Sequence, residues 1–194
     1  MGKYTAIADV GNALVRLLRG ELVPDTIQNP DSIGLCNPAD KGDFIVGIDL
    51  YDIRESDEMR NNTMQNIGME KQQYPSKYLN LFYMITVYSM GDIKFRSGEE
   101  HKILGRIIQI LHDYSCLDAE TYEPTGVRKV DDITIRMVDM QLEDKMRVYN
   151  VPNSGYKMSL FYKVAPVGIE SSKTRKIARV MDMDITLQVR DEEK

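Results

Sequence analysis

The chain has 194 residues, with 25 Lys plus Arg against 30 Asp plus Glu and a formal net charge of −5. Its 42% hydrophobic and 28% charged residues exclude a disordered or fibrous chain and suit one domain of ordinary size. The acidic balance argues against a protein that neutralises many phosphates, so no nucleic-acid partner is expected.

No apolar run approaches the roughly 18 to 20 residues that a bilayer span needs. The longest, around residues 79–88, is interrupted by Asn80 and Thr86. No apolar run of signal-peptide type follows Met1, so neither membrane insertion nor general secretion is expected. Cys36 and Cys116 are the two cysteines, without a CxxC spacing, and read as small apolar fillers rather than a redox pair or zinc knuckle.

In chain order, residues 5–19 read as a helix. Ile7, Val10, Leu14, Leu17 and Leu18 recur at helical spacing, with Thr5 placed to cap the start and Gly20 to end it. Asn29-Pro30 and Asn37-Pro38 are turn signals. Residues 44–53 read as a strand, with Phe44, Val46, Ile48 and Leu50 on one face and Ile45, Tyr51 and Ile53 on the other. Residues 54–77 lack periodicity and are too many for a passive connection. They read as a projecting arm or long hairpin whose Met59, Met64, Ile67 and Met69 find a partner elsewhere.

Residues 78–89 are apolar on both faces and read as a central strand. Residues 99–114 read as an amphipathic helix burying Ile103, Leu104, Ile107, Ile108 and Leu111, with Ser97 as cap and Glu99 and Glu100 at the positive end of its dipole. Residues 118–131 read as loop, 133–142 as strand and 143–149 as a helical turn. Two further strands are expected: 156–164, alternating Tyr156, Met158, Leu160, Tyr162 and Val164 with polar residues, and 181–189 near a sheet edge. The sum is an α+β fold, a mainly antiparallel sheet of about five strands with two main helices packed on it.

The candidates for chemistry are sparse. His101 and His112 are 11 residues apart on one helix, roughly 16 Å along its axis, and cannot share a metal. Asp182 and Asp184 alternate on a strand, and Asp49 and Asp139 fall on expected strands. Such carboxylates suit Mg²⁺ or acid–base work in general, but here they read more simply as a solvated sheet surface. No phosphate loop, nucleophile elbow or zinc-protease motif appears in the sequence. Lys173, Arg175, Lys176 and Arg179 form a basic cluster without interleaved aromatics and read as a solvated loop or an inter-subunit salt-bridge patch. No catalytic residue, cofactor or metal is expected.

Five stretches together carry a family resemblance: YTAIADVGNAL (4–14), PADKGDF (38–44), LYDIRE (50–55), EEHKILGR (99–106) and PVGIES (166–171). In this order, from about residue 4 to 189, the chain resembles the tube-terminator, or cap, proteins of extracellular contractile injection systems, the phage-tail-like particles of the antifeeding-prophage and virulence-cassette type. The resemblance implies a fold similar to phage tail terminators, here one terminator domain over 1–194 with the arm at about 54–77. It also implies a non-enzymatic subunit of a ring, a hexamer by expectation, at the end of the inner tube away from the baseplate.

Such a ring ends tube growth and ties the last sheath layer to the tube. The implied partners are further copies of the chain, the inner-tube protein and the sheath protein. The implied place is the bacterial cytoplasm during assembly, as part of a particle that can later be released. Several members of the family carry a further C-terminal region, which leaves open a short paralogue that shares the cap with another protein. The expected contact residues are Met59, Met64, Ile67, Met69, Lys173, Arg175, Lys176 and Arg179. Two rival functions stay open at this point: an adaptor recruiting payload to the tube, and a carboxylate-dependent hydrolase using Asp182 and Asp184.

Overall fold

The structure, a computed structural model, describes residues 4–57, 59, 63–68, 70–129, 132–152 and 154–176. The chain divides into two compact units, Met1–Asn61 with Ser76–Glu170, and Asn62–Pro75 with Ser171–Lys194.

The larger unit is built on a seven-stranded mixed sheet in the order β1-β2-β5-β9-β8-β6-β7. Its strands are β1 (Ile33–Leu35), β2 (Val46–Glu55), β5 (Lys77–Val87), β6 (Cys116–Leu117), β7 (Pro124–Thr125), β8 (Ile133–Met137) and β9 (Ser159–Ile169). β1 pairs with β2 in parallel, and the other pairings are antiparallel. The class is therefore α+β as expected, with more strands than five because β1, β6 and β7 have only two or three residues each.

Helices α1 (Ala6–Leu22) and α2 (Arg96–Asp113) cover one face of the sheet. The core lies between them and the sheet. Val10, Leu14, Leu18, Ile33, Ile48, Leu81, Tyr83, Ile85, Ile107 and Val164 are buried there. Each such aliphatic side chain contributes roughly 1.5–3 kcal/mol on burial, which is why the helical stripe decides the fold more than any cap does. Neither helix has a side-chain N-cap. The Thr5 hydroxyl donates to Asp9 Oδ2 at 2.7 Å instead of accepting from the backbone, and Ser97 lies inside α2. Gly20 does not end α1, which runs on to bury Leu22. On α2 the buried stripe takes Ile110 rather than Ile108, which is exposed.

The Asn-Pro turn signals act as read. Asn29 and Asn37 each cap a 3₁₀ turn, their Oδ1 atoms accepting from the backbone N–H of Asp31 and Ala39 at 2.9 Å, with Pro next in line. These turns bracket β1. Arg19 of α1 donates from Nε and Nη2 to the Ile33 carbonyl at 3.0 and 2.8 Å and fixes that edge. Gly34 leaves room there for the Phe44 ring, which a Cβ would have to push aside.

Two bulges correct the alternation read from the sequence. Tyr51 is an extra residue in β2 between Leu50↔Tyr83 and Asp52↔Phe82, so Ile53 falls opposite Leu81, on the core face rather than the other one. In β9 the extra residue falls at Ala165-Pro166, between Leu79↔Val167 and Leu81↔Val164. This is where a central strand tolerates a proline, which has no N–H to give the ladder. β9 runs over Ser159–Ile169, starting later and ending later than residues 156–164. β8 stops at Met137, which leaves Asp139 off any strand.

Among the described residues, the second face of the sheet is covered over one half only. Tyr149, Tyr156, Val138, Met140, Val148 and Val151 pack there on Met84 and Phe161, with α3 (Leu142–Val148) between them. Tyr51 meets Phe161 edge-on, with ring centroids 5.6 Å apart.

The smaller unit holds a three-stranded antiparallel sheet in the order β10-β4-β3, from β3 (Gln65–Ile67), β4 (Lys71–Gln73) and β10 (Thr174–Lys176). The arm is thus a long hairpin. Its backbone partner is β10 of the same chain, a strand where the sequence reading has a solvated loop. The strand expected over residues 181–189, with Asp182 and Asp184, lies outside the described residues.

The Tyr83 hydroxyl is buried without a hydrogen-bond partner among the described residues, and burial pushes its phenol far above the usual range. An unpaired buried hydroxyl is a cost. Tyr83→Phe should therefore melt at or above the parent temperature, by up to about 1 kcal/mol of added stability. A clear drop in the thermal melt would show that the hydroxyl has a partner.

Candidate assembly surfaces

Among its described residues the smaller unit buries little. Of its strand residues, β3 and β10 are exposed throughout and β4 is half-buried at best. Met64 is half-buried, Ile67 is 46% exposed and Tyr74 is 41% exposed. The strands are held by backbone ladders and amide contacts: Gln72 Nε2 donates to Asn66 Oδ1 at 3.0 Å, Gln73 Nε2 to the Ser171 carbonyl at 2.5 Å, and the Tyr74 N–H to the Lys173 carbonyl at 3.1 Å. Small sheets need a hydrophobic face or a packing partner to be stable, and this one shows neither within its described strands.

Of the eight residues expected at a contact, Met64, Ile67, Lys173, Arg175 and Lys176 come together in this unit, the three cations all exposed. Lys176 pairs directly across from Lys71, a like-charge pairing that favours an acidic neighbour. Met59 belongs to the larger unit, where it is 40% exposed beside Ser56 and Phe82. Met69 and Arg179 lie outside the described residues.

The larger unit offers a surface that sequence reading missed. The half of the sheet's second face left open by α3 is a cleft of about 580 Å³ lined by Asn80 and Phe82 of β5, Thr134 and Arg136 of β8, Lys163 of β9, and Arg128. Arg136 and Lys163 stand directly opposite each other across the β8–β9 ladder. Neither they nor Arg128 has a salt-bridge partner among the described residues. By contrast Arg54 is paired with Asp52 at 2.6 Å and lies over the Phe82 ring at 4.9 Å. The acid lining the cleft is Asp132, 4% exposed, whose Oδ2 accepts from the Lys129 N–H at 2.8 Å. The β8–β9 register brings Arg136 and Lys163 together and the loop after β7 adds Arg128, and no local motif signals it.

A third feature is the exposed apolar loop before α2, with Met90, Ile93 and Phe95 at 63%, 79% and 67% exposure. Glu99 and Glu100 tie this loop down: Ser89 Oγ donates to Glu99 at 2.5 Å, and the Ser89 N–H donates to Glu100 at 3.0 Å. Lys157 reaches Glu100 at 2.7 Å.

Of the carboxylates read as possible chemistry, Asp182 and Asp184 lie outside the described residues. Asp49 is half-buried on β2, and burial raises its pKa. No group of His, Cys, Asp and Glu suited to a metal occurs among the described residues. His101 and His112 are exposed on α2, and Cys36 and Cys116 are free thiols. Among the described residues, the carboxylate held well below its usual range is Asp118. It accepts from the backbone N–H groups of Thr121 and Glu120 at 3.0 Å, from the Thr121 hydroxyl and from Lys129, and so folds the 118–123 loop.

A lowered folded-state pKa stabilises the fold above the unfolded value, and this is lost as pH falls. Asp118→Asn should melt below the parent at pH 7, and the gap should close as pH drops below about 4. A gap that persists in acid would contradict this role.

The chain has the fold of tube-terminating proteins. It belongs to the Pvc16 N-terminal domain family, whose model matches residues 9–182. Among solved structures it is similar to the PVC sheath/tube terminator of an extracellular contractile injection system in its extended state. That match has a TM-score of 0.68 and 16% identity, over 100% of this chain and 67% of that one. It is also similar to the tube-terminating cap of the anti-feeding prophage, with a TM-score of 0.65 and 18% identity over 93% of this chain and 61% of that one. The chain thus spans about two thirds of the length of these proteins. No curated protein sequence matches it significantly.

Proposed function

We propose that the chain is a non-enzymatic structural subunit that closes the distal end of the inner tube of a contractile injection system. The observation that carries this reading is the family membership over residues 9–182, joined to a whole-chain fold match with a sheath/tube terminator. In this reading several copies, six by expectation, form a closed ring that stops tube growth and anchors the last sheath layer. The subunit assembles in the bacterial cytoplasm as part of the particle.

The three-stranded sheet of the smaller unit is the proposed contact with a neighbouring subunit or with the tube, through Met64, Ile67, Lys173, Arg175 and Lys176. Its support is physical: the exposed Ile67, and cations with no salt-bridge partner among the described residues, on strands that bury little of themselves, call for a partner.

Deleting the gene tests the reading by electron microscopy of the particles. Over-long tubes or tubes without sheath are expected. Particles of normal length that lack payload would overturn the reading in favour of an adaptor.

A further inference from the structure

We infer that the open basic cleft on β5, β9 and β8 receives the acidic β1 edge of a second copy of this chain. The inference rests on the ring reading above and assigns its subunit contact within the larger unit. Arg136 and Lys163 face each other in register with no salt-bridge partner among the described residues, Asp132 of the same cleft being engaged by the Lys129 N–H, and Arg128 adds a third cation. Like charges placed directly opposite on a sheet destabilise it. Opposing negative charge from outside removes that repulsion.

The same unit supplies such charge. β1 is the last strand at its end of the sheet, four strand spacings, roughly 19 Å, from β8. The turns that bracket it carry Asp31, Asp40 and Asp43, all exposed, and Asp31 and Asp43 line one small cleft with Phe44. Asp40 and Asp43 have no salt bridge among the described residues. Lys41, between them, turns instead to the Tyr88 ring at 5.1 Å.

A closed ring joins two different surfaces of each subunit head to tail. A basic cleft and an acidic edge, set apart on one sheet, meet that requirement. The complementary charge also accounts for the occupant being this chain: the acid that fits the cleft is already present on every copy.

The test uses two variants of the 194-residue chain and sedimentation velocity at low salt. Arg136→Glu/Lys163→Glu makes the cleft acidic, and Asp40→Lys/Asp43→Lys makes the edge basic. The parent chain is expected to self-associate. Each variant alone should associate roughly tenfold more weakly or not at all, because like charges then meet. An equimolar mixture should recover association, since each variant supplies what the other lacks. Circular dichroism confirms that both are folded, all four positions lying on the surface or in the open cleft. A parent that stays monomeric, a variant that associates like the parent, or a mixture that stays apart overturns the inference. The gene-deletion phenotype reports on the terminator reading separately. Over-long tubes combined with a failed charge swap would leave that reading standing and move the contact elsewhere.

Discussion

Truncating Leu81 or Ile107 to alanine is expected to cost about 2–5 kcal/mol of stability. Both side chains are 0% exposed. Leu81 sits in the strand that pairs with β2 on one side and β9 on the other, opposite Ile53 and Val164. Ile107 lies in the middle of the α2 stripe that packs on the same core as α1. Neither site can collapse easily, because its neighbours belong to a paired sheet and a packed helix. The loss therefore includes a residual cavity as well as the lost transfer energy. Urea unfolding of the purified variants measures it. Ile108→Ala, on the exposed side of α2, is the matched control and should stay within about 0.5 kcal/mol of the parent. A cost under about 0.5 kcal/mol at Leu81 or Ile107 would contradict the assignment of the core.

Replacing residues 62–75 with a short Gly/Ser linker is expected to leave the larger unit folded and to abolish ring formation or tube binding. The flanking strands do not depend on the hairpin. Glu55 pairs with Leu79, Lys77 Nζ reaches Glu55 at 3.2 Å, and the Ser56 N–H donates to the Tyr78 carbonyl at 2.8 Å. Among the described residues, the buried clusters draw none from the hairpin. The replacement removes β3, β4 and the partner of β10 together, and with them Met64 and Ile67. A melting temperature near the parent value with lost association fits the account. A shortened chain that still caps tubes would make the hairpin a mere loop, and one that fails to fold would make it part of the core.

The sequence made the main helices and the central strand legible because their signals are local and repeated. Residues 5–19 and 99–114 carry helical stripes, and residues 78–89 are apolar on both faces, which fits a strand flanked on both sides. All three recur in the structure as α1, α2 and β5, shifted by one to three residues at their ends. What escaped the reading depends on contacts distant in sequence. β1, β6 and β7 have two or three residues and exist only through their neighbours. The Tyr51 bulge turns Ile53 to the opposite face, and no residue type announces it.

Phe161 sits between Leu160 and Tyr162 in a strand read as polar on its second face, yet it is buried under Tyr149 and Tyr156. The candidate surfaces divide in the same way. The hairpin was visible as an unperiodic stretch with four apolar residues. The basic cleft was not, because Arg136 and Lys163 are neighbours only through the β8–β9 register, and their exposure depends on where the cover around α3 ends.

Electron microscopy of the purified chain mixed with inner tubes decides whether it caps them. A ring with a central pore seated on one end of each tube is expected, with no further tube growth from that end. Tubes that remain uncapped and keep elongating beside free monomer would contradict the capping role.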